Sequence, residues 1–233
     1  MRLNKYLADC GVGSRRACDK LIEEGKVKVN DKVATVTTQV EEGDKVSVNG
    51  KRVGTGKKLT YIMLHKPKGC VTTVNDDLGR KTVMDFVKDI HSRVYPVGRL
   101  DYDTEGLLLL TNDGELANKL THPSNEVSKT YVARISGALA DTEVRQLEKG
   151  VMVDGKVTAP AIVKVLQGDV HHTRVEITIH EGRNRQIKKM FEAVGKEVEF
   201  LKRVAIGDLH LGGLQRGKYR FLTDKEVNYL KNL

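Results

Sequence analysis

The sequence predicts an α+β protein: a small N-terminal domain, then a larger domain with a mixed, mainly antiparallel sheet flanked by helices. Short alternating apolar segments recur along the chain, separated by turns of hairpin length, and this pattern is typical of antiparallel strands. Helical segments are interspersed among these strands in mixed order. This arrangement favours α+β over a regular strand–helix alternation, which would indicate a parallel sheet.

The first 50 residues predict two helices followed by short strands. The first helix carries four apolar residues at helical spacing: Leu3, Tyr6, Leu7 and Cys10. The glycines of 11–13 end it, Ser14 is a suitable N-cap for a second helix, and Gly25 is a suitable end for that helix. Short strands then follow within residues 26–33 and 46–48.

Positive charge is concentrated in this N-terminal part. The whole chain has a net charge of +9, and residues 1–60 hold 13 Lys and Arg against 8 Asp and Glu, a net +5. Such an excess favours a polyanionic partner, although many proteins are basic without binding one. The compact helical and β layout is typical of an RNA-binding domain, and the candidate contacts are Arg15, Arg16 and Lys20.

Several classes of protein are disfavoured by composition. No apolar run approaches the roughly 18 residues of a membrane span, and the first residues lack the apolar core of a secretory signal. The three cysteines and seven histidines show no metal-ligand spacing. We therefore expect a cytoplasmic protein with no membrane association, no bound metal and no cofactor.

The larger domain is expected at 61–233, after a basic linker at 51–60 and the first domain at 1–50. Predicted strands lie near 61–66, 107–110, 130–135, 151–153, 161–165 and 173–179. Predicted helices lie at 83–90, 115–122, 141–149 and 184–194.

An acidic loop at 98–106 is the strongest candidate for chemistry. Asp101 lies in this loop, directly before four leucines that predict a buried strand. A carboxylate held there could act as a base, a nucleophile or a metal ligand. The Asp-Tyr-Asp-Thr of 101–104 also matches the pattern of magnesium-dependent aspartyl phosphatases, but in those enzymes the strand precedes the motif.

A second basic cluster lies at 181–189. Arg183 and Arg185 stand at the start of a predicted helix and would suit phosphate groups. Lys188 lies one turn inside, beside the apolar face, where an ammonium group needs a carboxylate partner. The alternative is that all these side chains are simply solvated.

Three separated motifs, at 98–114, 129–131 and 181–191, resemble those of the RsuA/RluB family of bacterial ribosomal RNA pseudouridine synthases. The N-terminal 50 or so residues resemble an S4-type RNA-binding domain, with Ser14-Arg15-Arg16 opening the second helix. The resemblance covers essentially the whole chain. It implies isomerisation of uridine to pseudouridine in ribosomal RNA, or in a ribosomal assembly intermediate. The sequence itself shows no cofactor fingerprint and no heptad seam, so we expect a monomer without a cofactor.

The resemblance also implies roles for individual residues. Asp101 would be the nucleophile, and Lys188 would be its basic partner. Tyr131 would pack on the target base and later assist proton removal, and Arg99 would help hold the flipped nucleotide or its backbone. Without the motif, Tyr131 would be ordinary core. The form of the motifs favours 23S over 16S rRNA. The alternatives are a 16S enzyme of the same family and a non-catalytic RNA-binding assembly factor.

Overall fold

The computed structural model describes residues 1–54, 56 and 58–233. The chain forms two compact units: Met1–Thr60 with Asn112–Gly114, and Tyr61–Thr111 with Glu115–Leu233. No helix in the described residues has the length and apolar character that a membrane crossing needs.

The first unit contains two helices and a four-stranded antiparallel sheet. Its elements are α1 (Leu3–Asp9), α2 (Arg15–Glu23), β1 (Val27–Val29), β2 (Lys32–Val33), β3 (Val46–Val48) and β4 (Lys51–Val53), with strand order β2-β1-β3-β4. The Ser14 hydroxyl accepts a hydrogen bond from the Ala17 backbone N–H at 3.1 Å, so Ser14 is the expected N-cap of α2. Leu3 and Leu7 from α1 pack with Cys18 and Ile22 from α2 in the core.

The predicted linker at 51–60 begins with an ordered strand. Val53 pairs with Val46 because the turn at Asn49 and Gly50 returns the chain along β3. Of the rest of this segment, Thr55 and Lys57 lie outside the described residues. Before the second unit begins, the Thr60 backbone N–H donates to the buried Asn112 side chain at 2.8 Å.

The second unit is built on a nine-stranded sheet flanked by helices. The strands of this unit are β5 (Tyr61–Lys66), β6 (Tyr95–Val97), β7 (Glu105–Thr111), β8 (Lys129–Ser136), β9 (Met152–Val153), β10 (Lys156–Val157), β11 (Ile162–Gly168), β12 (His172–Ile179), β13 (Val198–Ile206), β14 (Leu209–His210) and β15 (Tyr219–Phe221). Its helices are α3 (Gly114–Thr121), α4 (Asp141–Lys149), α5 (Gln186–Glu192) and α6 (Asp224–Asn232).

The sheet is mixed and mainly antiparallel, as expected. Its main order is β11-β12-β8-β13-β7-β5-β15, with β14 on β13 and β6 on β7, while β9 and β10 form a separate hairpin. The parallel pairing is that of β13 with β7, where Arg203 lies opposite Gly106. Gly106 has a φ of 115°, and a Cβ there would lie 2.2 Å from the Arg203 carbonyl oxygen. Only glycine therefore fits at this junction.

The leucine run is buried on both faces of the sheet. Leu108 and Leu110 belong to one apolar cluster, and Leu107 and Leu109 belong to a second cluster. Successive side chains of a strand point to opposite faces, so a continuous apolar run is the pattern that a strand covered on both sides requires.

Three predicted elements differ from the structure. The helix expected at 83–90 is a short 3-10 helix, Val83–Phe86, capped by Thr82 and Asp85. The strand expected at 107–110 starts two residues earlier, at Glu105. The helix expected at 184–194 is limited to α5, because Arg185 adopts a left-handed conformation with a φ of 50° and cannot continue a helix.

Candidate active site

A cleft of about 390 Å³ in the second unit collects most of the predicted site residues. Arg99 and Asp101 enter it from the loop after β6, and Tyr131 enters it from β8. Arg183 and Arg185 line it from the segment before α5. The cleft is large enough to be a small-ligand site, and it combines one carboxylate loop with several basic side chains.

A buried lysine forms hydrogen bonds with the backbone of the Asp101 loop. Lys66 is 0% exposed, and its Nζ donates hydrogen bonds to the carbonyl oxygens of Asp101 (2.8 Å), Thr104 (2.8 Å) and Pro67 (3.2 Å). Burial lowers the pKa of Lys66, and the nearby Cys70, Asp101 and Asp103 oppose that shift. Two of these three acceptors belong to the turn that carries Asp101, so Lys66 fixes the backbone of that turn.

Two further contacts fix the ends of this loop. The Thr72 hydroxyl donates to the Leu100 carbonyl at 2.7 Å and accepts from the Leu100 N–H at 3.3 Å. Beyond the turn, the Glu105 carboxylate is 2% exposed and pairs with Arg216 at 2.9 Å. The loop is therefore a rigid support, which is what a reactive side chain requires.

Lys188 pairs with Asp103 and not with Asp101, so the expected partner is wrong for this structure. Its Nζ lies 2.5 Å from the Asp103 carboxylate, and the two side chains are 8% and 56% exposed. No ion pair joins Lys188 to Asp101 among the described residues. Burial opposes ionisation of Asp103, but the hydrogen bond and charge of Lys188 outweigh it and lower the pKa of Asp103. In this turn the Asp103 carboxylate lies beside Lys188 of α5, while Asp101 lines the cleft.

Tyr131 is buried in the wall of the cleft. The residue is 8% exposed and lies opposite Arg203 in the pairing of β8 with β13. Arg203 Nη1 lies 3.5 Å from the Tyr131 hydroxyl, and its Cζ lies 5.9 Å from the ring centroid. The tyrosine ring is thus held against a cation.

Arg203 is a site residue that the sequence analysis missed. It is 3% exposed, lines the cleft, and donates from Nε to the Leu107 carbonyl at 2.7 Å. Its Nη2 is buried and has no hydrogen-bond partner in the part of the chain that the structure describes. The available signal was an arginine between Leu201 and Ala205 at alternate positions of an apolar strand.

Lys129 is a second missed cation in the cleft. Its Nζ donates to the Val127 carbonyl at 2.8 Å. Burial lowers the pKa of Lys129 to about 8, and the charge of Arg203 adds to that shift. Lys129 therefore changes its protonation state closer to neutral pH than an ordinary lysine does.

The two arginines of the 181–189 cluster differ in their contacts. The Arg183 guanidinium donates to Glu181 (3.1 Å) and to the carbonyls of Lys156 (3.1 Å) and Val157 (2.8 Å), so it ties the β9–β10 hairpin to this segment. Arg185 is exposed. Arg183 is thus committed to protein contacts, while Arg185 and the exposed Arg99 lie at the surface of the cleft.

The basic residues expected in the first unit are also at the surface. Arg15, Arg16 and Lys20 of α2 are all exposed, and Arg15 is within hydrogen-bond distance of Asn4 at 3.4 Å. Their side chains are available to a polyanion, in agreement with the charge pattern of the sequence.

The phosphatase interpretation does not fit the topology. Asp101 follows β6, a three-residue strand that pairs antiparallel with β7, whereas that chemistry uses a motif after a parallel strand. Within residues 1–54, 56 and 58–233, no group of three or more His, Cys, Asp or Glu side chains is arranged to hold a metal ion.

The family comparisons agree with the fold. Residues 60–193 match the model of the RNA pseudouridylate synthase family, and residues 1–46 match that of the S4 domain. The chain belongs to the family of RNA pseudouridylate synthases and carries an S4 domain at its N-terminus. This confirms the resemblance seen in the sequence.

Individual relatives narrow the comparison. The chain is 50% identical to ribosomal large subunit pseudouridine synthase B of Bacillus subtilis, over 100% of this chain and 96% of that protein. It is 39% identical to the protein of the same name from Salmonella typhi, over 100% of this chain and 82% of the other. A crystal structure of a pseudouridylate synthase matches with a TM-score of 0.71 and 32% identity, covering 99% of each chain.

Proposed function

We propose that this protein converts a specific uridine to pseudouridine in the RNA of the large ribosomal subunit, 23S rRNA. The observation that carries the proposal is the Asp101 carboxylate in the cleft, on a turn whose backbone is fixed by the buried Lys66. The relatives named for the large subunit support the choice of substrate.

The reaction needs no donor group and no change of redox state. The bond between uracil N1 and ribose C1′ breaks, the freed uracil rotates, and a bond forms between C5 and C1′. The C5 proton is then lost, and N1 gains a proton. Asp101 can take part by attacking the sugar, by attacking the base or by deprotonating the sugar.

Other residues take supporting roles in this proposal. Tyr131, held by Arg203, packs on the uracil and assists removal of the C5 proton. Lys188 acts on the loop of Asp101 through its pair with Asp103. Arg99 and Arg185 are exposed beside the cleft and contact the RNA backbone. The Arg183 side chain contributes by shaping this segment, and any phosphate contact by Arg183 would require its present hydrogen bonds to exchange.

Binding energy must also expose the target uridine. A base inside an RNA helix is unreachable, and extruding it costs a few kcal/mol. Phosphate contacts from Arg15, Arg16 and Lys20 would offset this cost and set the register. We assign residues 1–50 together with β4 to the RNA-binding domain, 54–60 to the connection and 61–233 to the catalytic domain. We propose that the protein acts as a monomer in the cytoplasm, on ribosomal RNA or an assembly intermediate.

The test is release of tritium from C5-labelled uridine in transcripts of 23S and 16S rRNA. We expect release from the 23S transcript, and none with Asp101→Asn, whose RNA affinity should stay within about threefold because one carboxylate contributes little to backbone binding. Asp208→Asn, an exposed aspartate outside the cleft, is the matched control.

Each contrary outcome has a distinct meaning. Release from the 16S transcript alone would reassign the substrate. Binding without release from either transcript would point to an assembly factor. Full activity of Asp101→Asn would remove this residue from the reaction.

A further inference from the structure

Three cleft residues lie on one face of the sheet. Lys129 and Tyr131 are two residues apart on β8, so their side chains project to the same side. Arg203 lies directly opposite Tyr131 on β13, and cross-strand neighbours share a face. The tyrosine is therefore flanked by a cation along its own strand and by a cation on the next strand.

Both cations lack a carboxylate partner. Within the ranges that the structure describes, neither Lys129 nor Arg203 has an acidic side chain within 4.0 Å. Their hydrogen bonds go to the backbone carbonyls of Val127 and Leu107 and, for Arg203, to the Tyr131 hydroxyl. Arg203 Nη2 is buried without a partner. Burying cations without counter-charge is unfavourable, and the pKa of Lys129, lowered to about 8 by burial and by Arg203, reports that imbalance.

The other charges of the cleft do not remove this imbalance. The ionisable side chains that face it from the surrounding elements are Arg99, Asp101, His122, His180, Glu181, Arg183 and Arg185. Glu181 already accepts hydrogen bonds from the Ala159 N–H, the Gln186 side chain and Arg183. Asp101 is thus the remaining carboxylate, against five lysine and arginine side chains that line the cleft.

We infer that Lys129 and Arg203 form a site for the negative charge that develops on the uracil ring during the reaction. This inference rests on the proposed function. Lys129 is a catalytic residue that contacts a uracil carbonyl oxygen, and Arg203 is a positioning residue that acts through Tyr131 and through its charge. The ligand of this site is the uracil of the target nucleotide, which is recognised through the negative charge on its carbonyl oxygens.

Negative charge develops on the uracil ring in each of the three routes by which Asp101 can take part. When the N1–C1′ bond breaks, both bonding electrons stay on the uracil, and the charge spreads onto its carbonyl oxygens. Attack on the sugar and deprotonation of the sugar both expel this anion, while attack on the base forms an enolate on the same ring. A fixed cation that meets charge only as it develops accelerates the step.

The position of Lys129 and Arg203 in the cleft indicates that their ligand is the base and not a phosphate. Tyr131 is 8% exposed and Arg203 is 3% exposed, so these two lie in the floor of the cleft, and Lys129 is half-buried next to them along β8. Arg99 and Arg185 are exposed and suit the backbone, which remains at the surface. In the proposed function Tyr131 packs on the uracil, so Lys129 and Arg203, which flank Tyr131, also lie next to the uracil.

The test compares single-turnover conversion and RNA affinity, using the full chain and the 23S transcript that the wild-type protein modifies. Lys129→Met should lower the conversion rate by about 10²-fold, the usual effect of removing one donor to a developing oxyanion, with a Kd within threefold of the wild type. Lys129→Arg should retain the rate within about tenfold. Lys202→Met, on the same sheet but outside the cleft, is the matched control and should match the wild type.

The pH profile provides a readout that a purely structural role would not move. The wild-type rate should fall above about pH 8 as Lys129 loses its proton. Lys129→Arg should hold its rate to higher pH, because arginine stays charged. The remaining ionisable groups are the same in both proteins, so the difference isolates Lys129. Arg203→Lys should lower the rate with little change in Kd.

Three results would overturn the inference. A Lys129→Met protein that melts like the wild type and converts within threefold of it would exclude a catalytic role. A loss of affinity equal to the loss of rate would indicate a phosphate contact in place of the base. A wild-type protein that converts no uridine in any ribosomal transcript would overturn the proposed function and this inference with it.

Discussion

Gly106→Ala should destabilise the protein strongly, because Gly106 lies where β7 and β13 come closest. The new Cβ would lie 2.2 Å from the Arg203 carbonyl oxygen and 2.6 Å from its nitrogen, while real contacts stay above 3.0 Å. The strands would have to separate by at least 0.8 Å, the difference between 3.0 and 2.2 Å. Arg203 would then move relative to Tyr131 and to the cleft.

The magnitude follows from two contributions. A φ of 115° in a residue other than glycine costs about 1–3 kcal/mol. Weakening two backbone hydrogen bonds of the parallel pair adds about 1 kcal/mol each. The sum of roughly 3–5 kcal/mol is a large part of the free energy of unfolding, which is usually about 5–15 kcal/mol. At about 2–4 °C per kcal/mol, the melting temperature should fall by roughly 6–20 °C.

Differential scanning calorimetry of the full chain measures this shift. Gly213→Ala is the matched control, since Gly213 has no positive φ and no atom within 4 Å of an added Cβ. It should change the free energy of unfolding by no more than about 0.5 kcal/mol. A Gly106→Ala protein that melts within 2 °C of this control would refute the reasoning.

Three further substitutions test the contacts that support the site and the C-terminal helix. Lys66→Met leaves three loop carbonyls without their donor and should lower the free energy of unfolding by about 1–3 kcal/mol in denaturant titration. Asp103→Asn leaves the buried Lys188 without a carboxylate and should cost about 1–2 kcal/mol, a value reduced because Asp103 is half exposed. Glu226→Gln should remove an acid-dependent part of the stability. Arg220 lowers the pKa of Glu226 to about 2 from 4.5, so the wild type holds this contribution above about pH 4.5 and loses it as pH falls towards 2. Because the Arg220–Glu226 pair is partly exposed, this contribution to the free energy of unfolding should be about 1 kcal/mol. Thermal melting of both proteins from pH 2 to 7 measures it.

Each of these substitutions has its own control. For Lys66, the exposed Lys88 is the comparison, and equal stability of the two methionine variants would contradict the anchoring role. For Asp103, a double-mutant cycle with Lys188→Met should give a coupling above about 0.5 kcal/mol, and additive effects would exclude the pair. For Glu226, the exposed Glu192→Gln should keep the wild-type pH dependence. If Glu226→Gln lost as much stability as the wild type between pH 4.5 and 2, the pKa argument would be contradicted.

Local patterns were sufficient to predict much of the fold. Ser14 caps α2 as expected, and the leucine run at 107–110 is a strand buried on both faces. The cap could be predicted because it is a contact within one helix turn, and the strand because a strand covered on both faces requires a continuous apolar run. Arg185 shows where such reasoning fails, because its left-handed conformation, with a φ of 50°, starts the helix later than the apolar pattern predicts.

The candidate site was only partly visible in the sequence. Asp101 and Tyr131 line one cleft, but the partner of Lys188 is Asp103, two positions along the same turn. Sequence motifs identify which residues lie near each other, yet they cannot choose between two carboxylates of the same turn. Lys129 and Arg203 were missed because a basic residue in a strand is usually solvated, whereas in the structure Arg203 is buried and Lys129 is half-buried in the same cleft.

The sheet order has a consequence for how the nascent chain matures. β13 is inserted between β8 and β7, so it joins the β11-β12-β8 half of the sheet to the β7-β5-β15 half. A ribosome must therefore synthesise the chain past Ile206 before the two halves can become one. Until then Asp101 and Tyr131 belong to separate fragments, and a chain released at residue 197 should contain both residues without a shared cleft. A nascent chain that has not yet completed β13 should therefore be unable to modify RNA.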